Sequence, residues 1–241
     1  TREFTRNNGC LPDPSVPAAR GRPRVAGGYR CAGAQRRAQV LRSKVRVQRK
    51  MVCGNAVWNR AIDALLASFA PTQVVAIERP GSAIDGHRYS MRGEILDELV
   101  PSADRLLTPP GERSYATIAV GDGGNELGMG HLRDSLMDRI NLGELIFCDT
   151  EADHVIPAGI SNWGAYALAA SLAVLSGKPV LIRPEDELAV LEAQVAVGAV
   201  DGCTRKNEVS VDGVPIADYL KTVSAIYDGC QAHLATQAIA A

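Results

Sequence analysis

The sequence predicts an α/β fold: a mainly parallel sheet with helices on both faces, preceded by a basic irregular N-terminal segment. Three observations carry this expectation. Short apolar runs of strand type, QVVAI at 73–77, ATIAV at 116–120 and ELIFC at 144–148, alternate with longer segments of helical spacing. The 241 residues are 46% apolar and 22% charged, an ordinary globular balance that excludes a wholly disordered or fibrous chain. Each strand-like run stops at a glycine, proline or acid, as strands feeding loops at a sheet edge do.

The elements follow in order. Residues 56–69 place Val57, Ile62, Leu65, Leu66 and Phe69 at helical spacing, and Pro71 ends the pattern. The run 73–77 is the first strand, and residues 93–100 suggest a helix. Residues 116–120 form the next strand. Residues 127–140 repeat apolar groups at Leu132, Leu136 and Ile140, as one helix face would. The run 144–148 is read as the third strand. Residues 163–175 are apolar on all sides, which predicts a buried helix, and 179–182 is a short strand candidate. Pro184 opens a further helix with Glu185, Asp186 and Glu187 in its first turn, where the helix dipole favours anions. Residues 218–227 close the pattern with a last helix.

Charge divides the chain. Residues 1–50 carry 11 Arg and 2 Lys against Glu3 and Asp13, a net of +11, so the rest carries −12 to give the overall −1. The expected organisation is therefore a disordered or non-native basic lead at 1–50 and an α/β domain at 51–241. The lead has only Phe4 and Tyr29 for base stacking, which argues against a nucleic-acid partner. Its prolines interrupt the amphipathic helix that an organelle-targeting segment would form, although its Arg-rich, acid-poor composition suits one. The start, Thr1-Arg2-Glu3-Phe4, lacks the apolar stretch of a secretory signal. The six cysteines follow no zinc or disulfide spacing, which fits reduced thiols and a cytoplasmic location. No apolar run reaches the roughly 18 residues of a membrane span.

The acids hold the functional signal. Glu78 follows the first strand, Asp122 the second and Asp149 the run ELIFC. Ligands of open parallel sheets bind outside the carboxyl ends of the strands. Neighbouring strands lie about 4.8 Å apart, so such acids can converge. Crowded carboxylates repel one another, and a hard divalent cation such as Mn2+ or Mg2+ relieves that repulsion. Acids at these positions also cap helices, which is the plainer alternative. Between the second strand and the next helical segment, GDGGNELGMG at 121–130 places five glycines in ten residues, opening the backbone to a ligand.

Three stretches, AIERPGSAIDGHRYSMRG at 76–93, GDGGNELGMG at 121–130 and CDTEADHVIPAGISNWGAYAL at 148–168, together resemble the D-glutamate cyclase family in its carboxyl-terminal cyclase-like domain. The resemblance implies a metal-dependent hydro-lyase that cyclises D-glutamate to 5-oxo-D-proline with release of water. Under it, Glu78, Asp122 and Asp149 are expected on the metal, with Glu126 and Asp153 in acid–base roles. Arg79 or Arg92 would hold the α-carboxylate by a bidentate pair, and Asn125 and Asn162 would bind polar substrate atoms. The expected partners are the small-molecule substrate D-glutamate and no membrane, with a homo-oligomer left open. Two alternatives share the same acids: a Mn/Mg-dependent phosphoester hydrolase, and a truncated relative that binds ligand without turnover.

Overall fold

The computed structural model describes residues 55–240, so the expectations for the basic segment 1–50 lie outside the described residues. The described residues fall into two compact units, 55–161 and 162–240.

The first unit is built on a parallel sheet. Helix α1 (Asn55–Phe69) precedes strand β1 (Gln73–Ile77), followed by β2 (Ala116–Gly121) and β3 (His154–Pro157). The order is β1-β2-β3, with Gln73 opposite Ala116 and Ile118 opposite His154. Small and branched residues suit this sheet: Ala76 and Ala119 meet Ala103, Leu107, Leu127 and Ala152 in a tight apolar cluster. The opposite side of β1 leaves Val75 and Ile77 nearly half exposed. The α1 helix is tied to the turn Asp104–Leu106: Arg105 donates to both oxygens of Asp63 at 2.8 Å, and Trp58 Nε1 donates to the Ser102 carbonyl.

Parallel strands require long crossovers, and here these are mostly loops and single turns. The sequence pattern departs from the structure at several of them. Residues 93–100 form turns with no helix. Residues 127–140 break into the short helix α2 (Arg133–Leu136), flanked by 3-10 turns at Gly130–Leu132 and Met137–Arg139. The run ELIFC is no strand: Gly143–Ile146 forms the short helix α3, entered through Leu142 with φ 59°. Its apolar side chains are buried for a different reason. Ile146 packs with Ala83 and Tyr89, and Phe147 and Cys148 pack with Met129. A fully buried run of this length reads alike as strand or helical turn. The true third strand, HVIP, was hidden in a segment marked mainly by its acids.

The second unit is helical. Helix α4 (Ser161–Ser176) starts on the last residue of the first unit, followed by α5 (Pro184–Ala196), a small hairpin of β4 (Ser210–Val211) and β5 (Val214–Pro215), and α6 (Ile216–Ala240). Pro184 does open α5, with Glu185, Asp186 and Glu187 in its first turn. Residues 179–182 form no strand. Helix α4 is not buried all round: Ala173 is enclosed with Leu181 and Cys230, whereas Leu172 and Leu175 face outward. Alanines make its outer side look more apolar in sequence than its burial requires. Tyr219, fully buried, donates to Glu187 Oε1 at 2.9 Å and stacks on Trp163. Among the described residues no helix is long and apolar enough to cross a membrane.

Candidate functional site

Beyond the carboxyl ends of β1 and β2 the chain enters two loops laced together by backbone hydrogen bonds. Leu127 N–H donates to the Arg79 carbonyl, Gly81 N–H to Asn125 and Cys148 N–H to Gly124. These bonds fix the glycine-rich segment against residues 79–83 and 148–151. Gly124 adopts φ 89°, and a Cβ there would lie 2.6 Å from the Phe147 ring, so both conformation and space demand glycine. The Cys148 thiol packs into the same seam, and burial pushes it up to about 11, which suits an inert filler.

This lacing brings three acids together. One carboxylate oxygen from each of Glu78, Asp122 and Glu126 lies within 4.8 Å of the other two. Glu78 directly follows β1 and holds φ 49°, a left-handed conformation rare outside glycine and concentrated at functional positions. Asp122 follows β2, and its Oδ2 accepts the Ser161 N–H at 2.7 Å, at the start of α4. Glu126 is only 2% exposed. Its Oε1 accepts from Gly123 N–H at 2.9 Å and its Oε2 from Gly124 N–H at 2.7 Å. Burial drives the Glu126 carboxyl above the ordinary range and the Asp122 charge adds to this, while the amide bonds oppose it.

The arrangement fits a hard divalent cation. Oxygen ligands at roughly 2.0–2.6 Å from such an ion stand up to about 5 Å apart across it. A buried carboxylate crowded by another acid is also the environment a positive ion relieves. Ser161, whose N–H meets Asp122, is 1% exposed, and its buried Oγ has no hydrogen-bond partner among the described residues.

A fourth acid supports the loops from behind. Asp104 Oδ1 accepts from Ser82 N–H at 3.0 Å and Thr150 Oγ1 at 2.6 Å, and Oδ2 from Ser82 Oγ at 2.8 Å and Ser102 Oγ at 2.6 Å. Burial alone would raise its carboxyl, but these donors hold it below the usual range. Sequence reasoning missed Asp104. Its one local signal is Ser-Ala-Asp at 102–104, a common turn opening.

The other expected residues are distributed as follows. Asn125, 8% exposed, lies in the glycine loop beside Glu126, and its Nδ2 donates to the Tyr89 carbonyl at 2.7 Å. Arg79 follows Glu78, and its guanidinium donates to the Pro101 carbonyl. Burial, with Arg88 nearby, lowers its proton affinity. Arg92 is exposed in the turn after Tyr89. Asn162 belongs to the second unit, where its Nδ2 donates to Tyr219 Oη at 3.2 Å.

The structure does not bring Asp149 or Asp153 into the cluster. Asp149 precedes β3 and so marks no strand end; its N–H donates to the Ser82 carbonyl. Glu126 takes the place in the trio that the sequence pattern gave to Asp149. Asp153 lies at the amino-terminal end of the sheet, bound by Arg113 at 2.5 and 2.7 Å and by Thr117 N–H at 2.7 Å. The Arg113 guanidinium holds its carboxyl far below the carboxylate range. That is the geometry of a structural ion pair.

A family model described as D-glutamate cyclase-like, C-terminal, matches residues 26–227. The Homo sapiens protein "D-glutamate cyclase, mitochondrial" is 46% identical over 103 residues, or 42% of this chain. That match spans 17% of the human protein's length.

Proposed function

The chain belongs to the D-glutamate cyclase-like, C-terminal family, and from that premise we propose that its acid cluster cyclises D-glutamate to 5-oxo-D-proline with loss of water. The observation that carries the reading is the convergence of Glu78, Asp122 and Glu126 at the carboxyl end of a parallel sheet. These three residues would hold a divalent cation, Mn2+ or Mg2+. A cation held there would supply Lewis-acid polarisation of a carboxyl oxygen, which would make the carboxyl carbon a better electrophile.

The remaining work falls to the chain. Cyclisation forms a bond between the α-nitrogen and the carbon of the γ-carboxylate and breaks one carbon–oxygen bond of that carboxylate. The ammonium loses protons, and the departing oxygen leaves as water. A folded-back substrate supplies the proximity term, so the site must grip both ends of a five-carbon chain. Arg79 and Arg92 are the cations from the loop after β1 offered for the α-carboxylate. The two amide N–H groups on Glu126 fix its carboxylate, and Asp104 fixes the loops that carry Ser82 and Thr150. The human relative's name supports the substrate.

The test is mass-spectrometric detection of 5-oxoproline from each glutamate enantiomer, with Mn2+, with Mg2+ and after chelation, with generic phosphoesters assayed alongside. Metal-dependent 5-oxoproline from D-glutamate is expected. Phosphoester cleavage without 5-oxoproline would replace this reading with hydrolysis.

A further inference from the structure

Closing the ring requires the substrate's amine to be held against its own γ-carboxylate, and one buried atom is suited to hold it. Asn125 is 8% exposed, and the bond from its Nδ2 to the Tyr89 carbonyl fixes which way the amide points. Its Oδ1 is therefore turned away from Tyr89. That oxygen is buried and accepts no hydrogen bond among the described residues. A buried acceptor left unmet is costly, so a ligand bearing a donor gains by reaching it.

The surroundings define that donor. A Cβ built on Gly123 would stand 3.0 Å from Asn125 Oδ1, 3.0 Å from Glu126 Oε1 and in collision with Met91 Sδ. Three side-chain atoms thus face the same small space: an amide oxygen, a carboxyl oxygen and a thioether sulfur. The amide oxygen and the sulfur only accept, and the carboxyl oxygen offers acceptor lone pairs. Such a space repels a carboxylate and calls for N–H. Glu126 Oε1 already takes the Gly123 N–H and retains a second lone pair. Met91 is the neighbour able to yield, being 43% exposed and ending in a flexible thioether.

We infer that Asn125 Oδ1, with Glu126 Oε1 beside it, receives the N–H of the substrate's amine once Met91 swings aside, so that the site selects an amino dicarboxylate over a plain dicarboxylate. The inference rests on the cyclase reading and assigns one end of the substrate within it.

Calorimetric titration of the full chain with D-glutamate and with glutarate, which keeps both carboxylates and lacks the amine, tests this. The unaltered protein should prefer D-glutamate by about 10-fold or more. Asn125→Ala should erase that preference while leaving glutarate affinity within about twofold. Gly123→Ala is the second variant: it fills the space from the other side, leaves the Asn125–Tyr89 bond in place and displaces mainly the end of Met91. Loss of the preference in either folded variant supports the assignment, and retention of it in both overturns the assignment alone. Absence of D-glutamate binding to the unaltered protein overturns the cyclase reading as well. Amine-selective binding without 5-oxoproline leaves the amine site standing and removes the catalysis.

Discussion

Replacing Asp104 by alanine removes the acceptor that joins three loops behind the acid cluster. Four donors converge on it: Ser82 N–H, Ser82 Oγ, Ser102 Oγ and Thr150 Oγ1, at 2.6–3.0 Å. Hydrogen bonds to a charged group contribute roughly 1.5–3 kcal/mol each, but they do not add when one residue serves all four. The three hydroxyls can turn toward water or a carbonyl. The Ser82 N–H cannot turn, and it is the donor left unmet. A loss of about 3–4 kcal/mol follows, with about half that for Asp104→Asn, which keeps one oxygen. Urea unfolding reads the loss as a lower midpoint at unchanged slope. The sign with pH is also set. The Asp104 carboxyl is held below its ordinary value, so its contribution is complete above the usual carboxylate range. It fades as pH falls through the lowered value, and the gap between Asp104→Ala and the unaltered protein must narrow in acid. A loss below about 1 kcal/mol at neutral pH, or a gap that widens in acid, would refute the account of Asp104 as the tie between loops.

Mn2+ should raise the unfolding midpoint, by about 2.7 kcal/mol of stability at a hundred times its dissociation constant, and Glu126→Gln should remove most of that gain. Because burial raises the Glu126 carboxyl, the cation-free protein should lose stability as pH rises through that raised value, and Mn2+ should restore it; a Mn2+ affinity that stays flat as pH rises from the ordinary carboxylate range would count against Glu126 as a ligand. Gly124→Ala must adopt φ near 89° against the Phe147 ring, so circular dichroism melts should show a loss of about 2–4 kcal/mol. Asp153→Ala breaks the pair with Arg113 at the amino end of the sheet; calorimetry should find Mn2+ affinity within about twofold of the unaltered protein, since the pair lies apart from the cluster. In the second unit, Asp201 is held down to about 2, by its bonds from Ser210, Gly213, Thr204 and Cys203 against the opposing effect of burial; acid titration should show about 2 kcal/mol of stability vanishing between pH 4 and 2.

The strands QVVAI and ATIAV were legible because apolar runs with hard stops have few alternatives, and the acids directly behind them, Glu78 and Asp122, inherited that clarity. The third acid was not legible from strand ends. ELIFC is apolar for packing against Met129 and Tyr89, not for sheet pairing, so Asp149 gained a prominence its position does not have. Glu126 stood out as a candidate, but its place in the acid cluster depends on the loop folding back through Gly123 and Gly124, which spacing alone does not encode. Asp153 shows the same limit from the other side: its partners Arg113 and Thr117 lie far away in sequence and fix it through tertiary contact. The long crossovers carry helix-like spacing without forming long helices because their apolar residues serve small clusters beneath loops rather than one continuous helix face.

The Ser161 N–H that meets Asp122 belongs to the opening turn of α4. That one amide and a cation held at the rim would therefore draw on the same carboxylate. Positive charge at the rim would weaken the Ser161 hydrogen bond, and its removal would strengthen it. Hydrogen exchange at the Ser161 amide would thus report on the charge held by the acid trio.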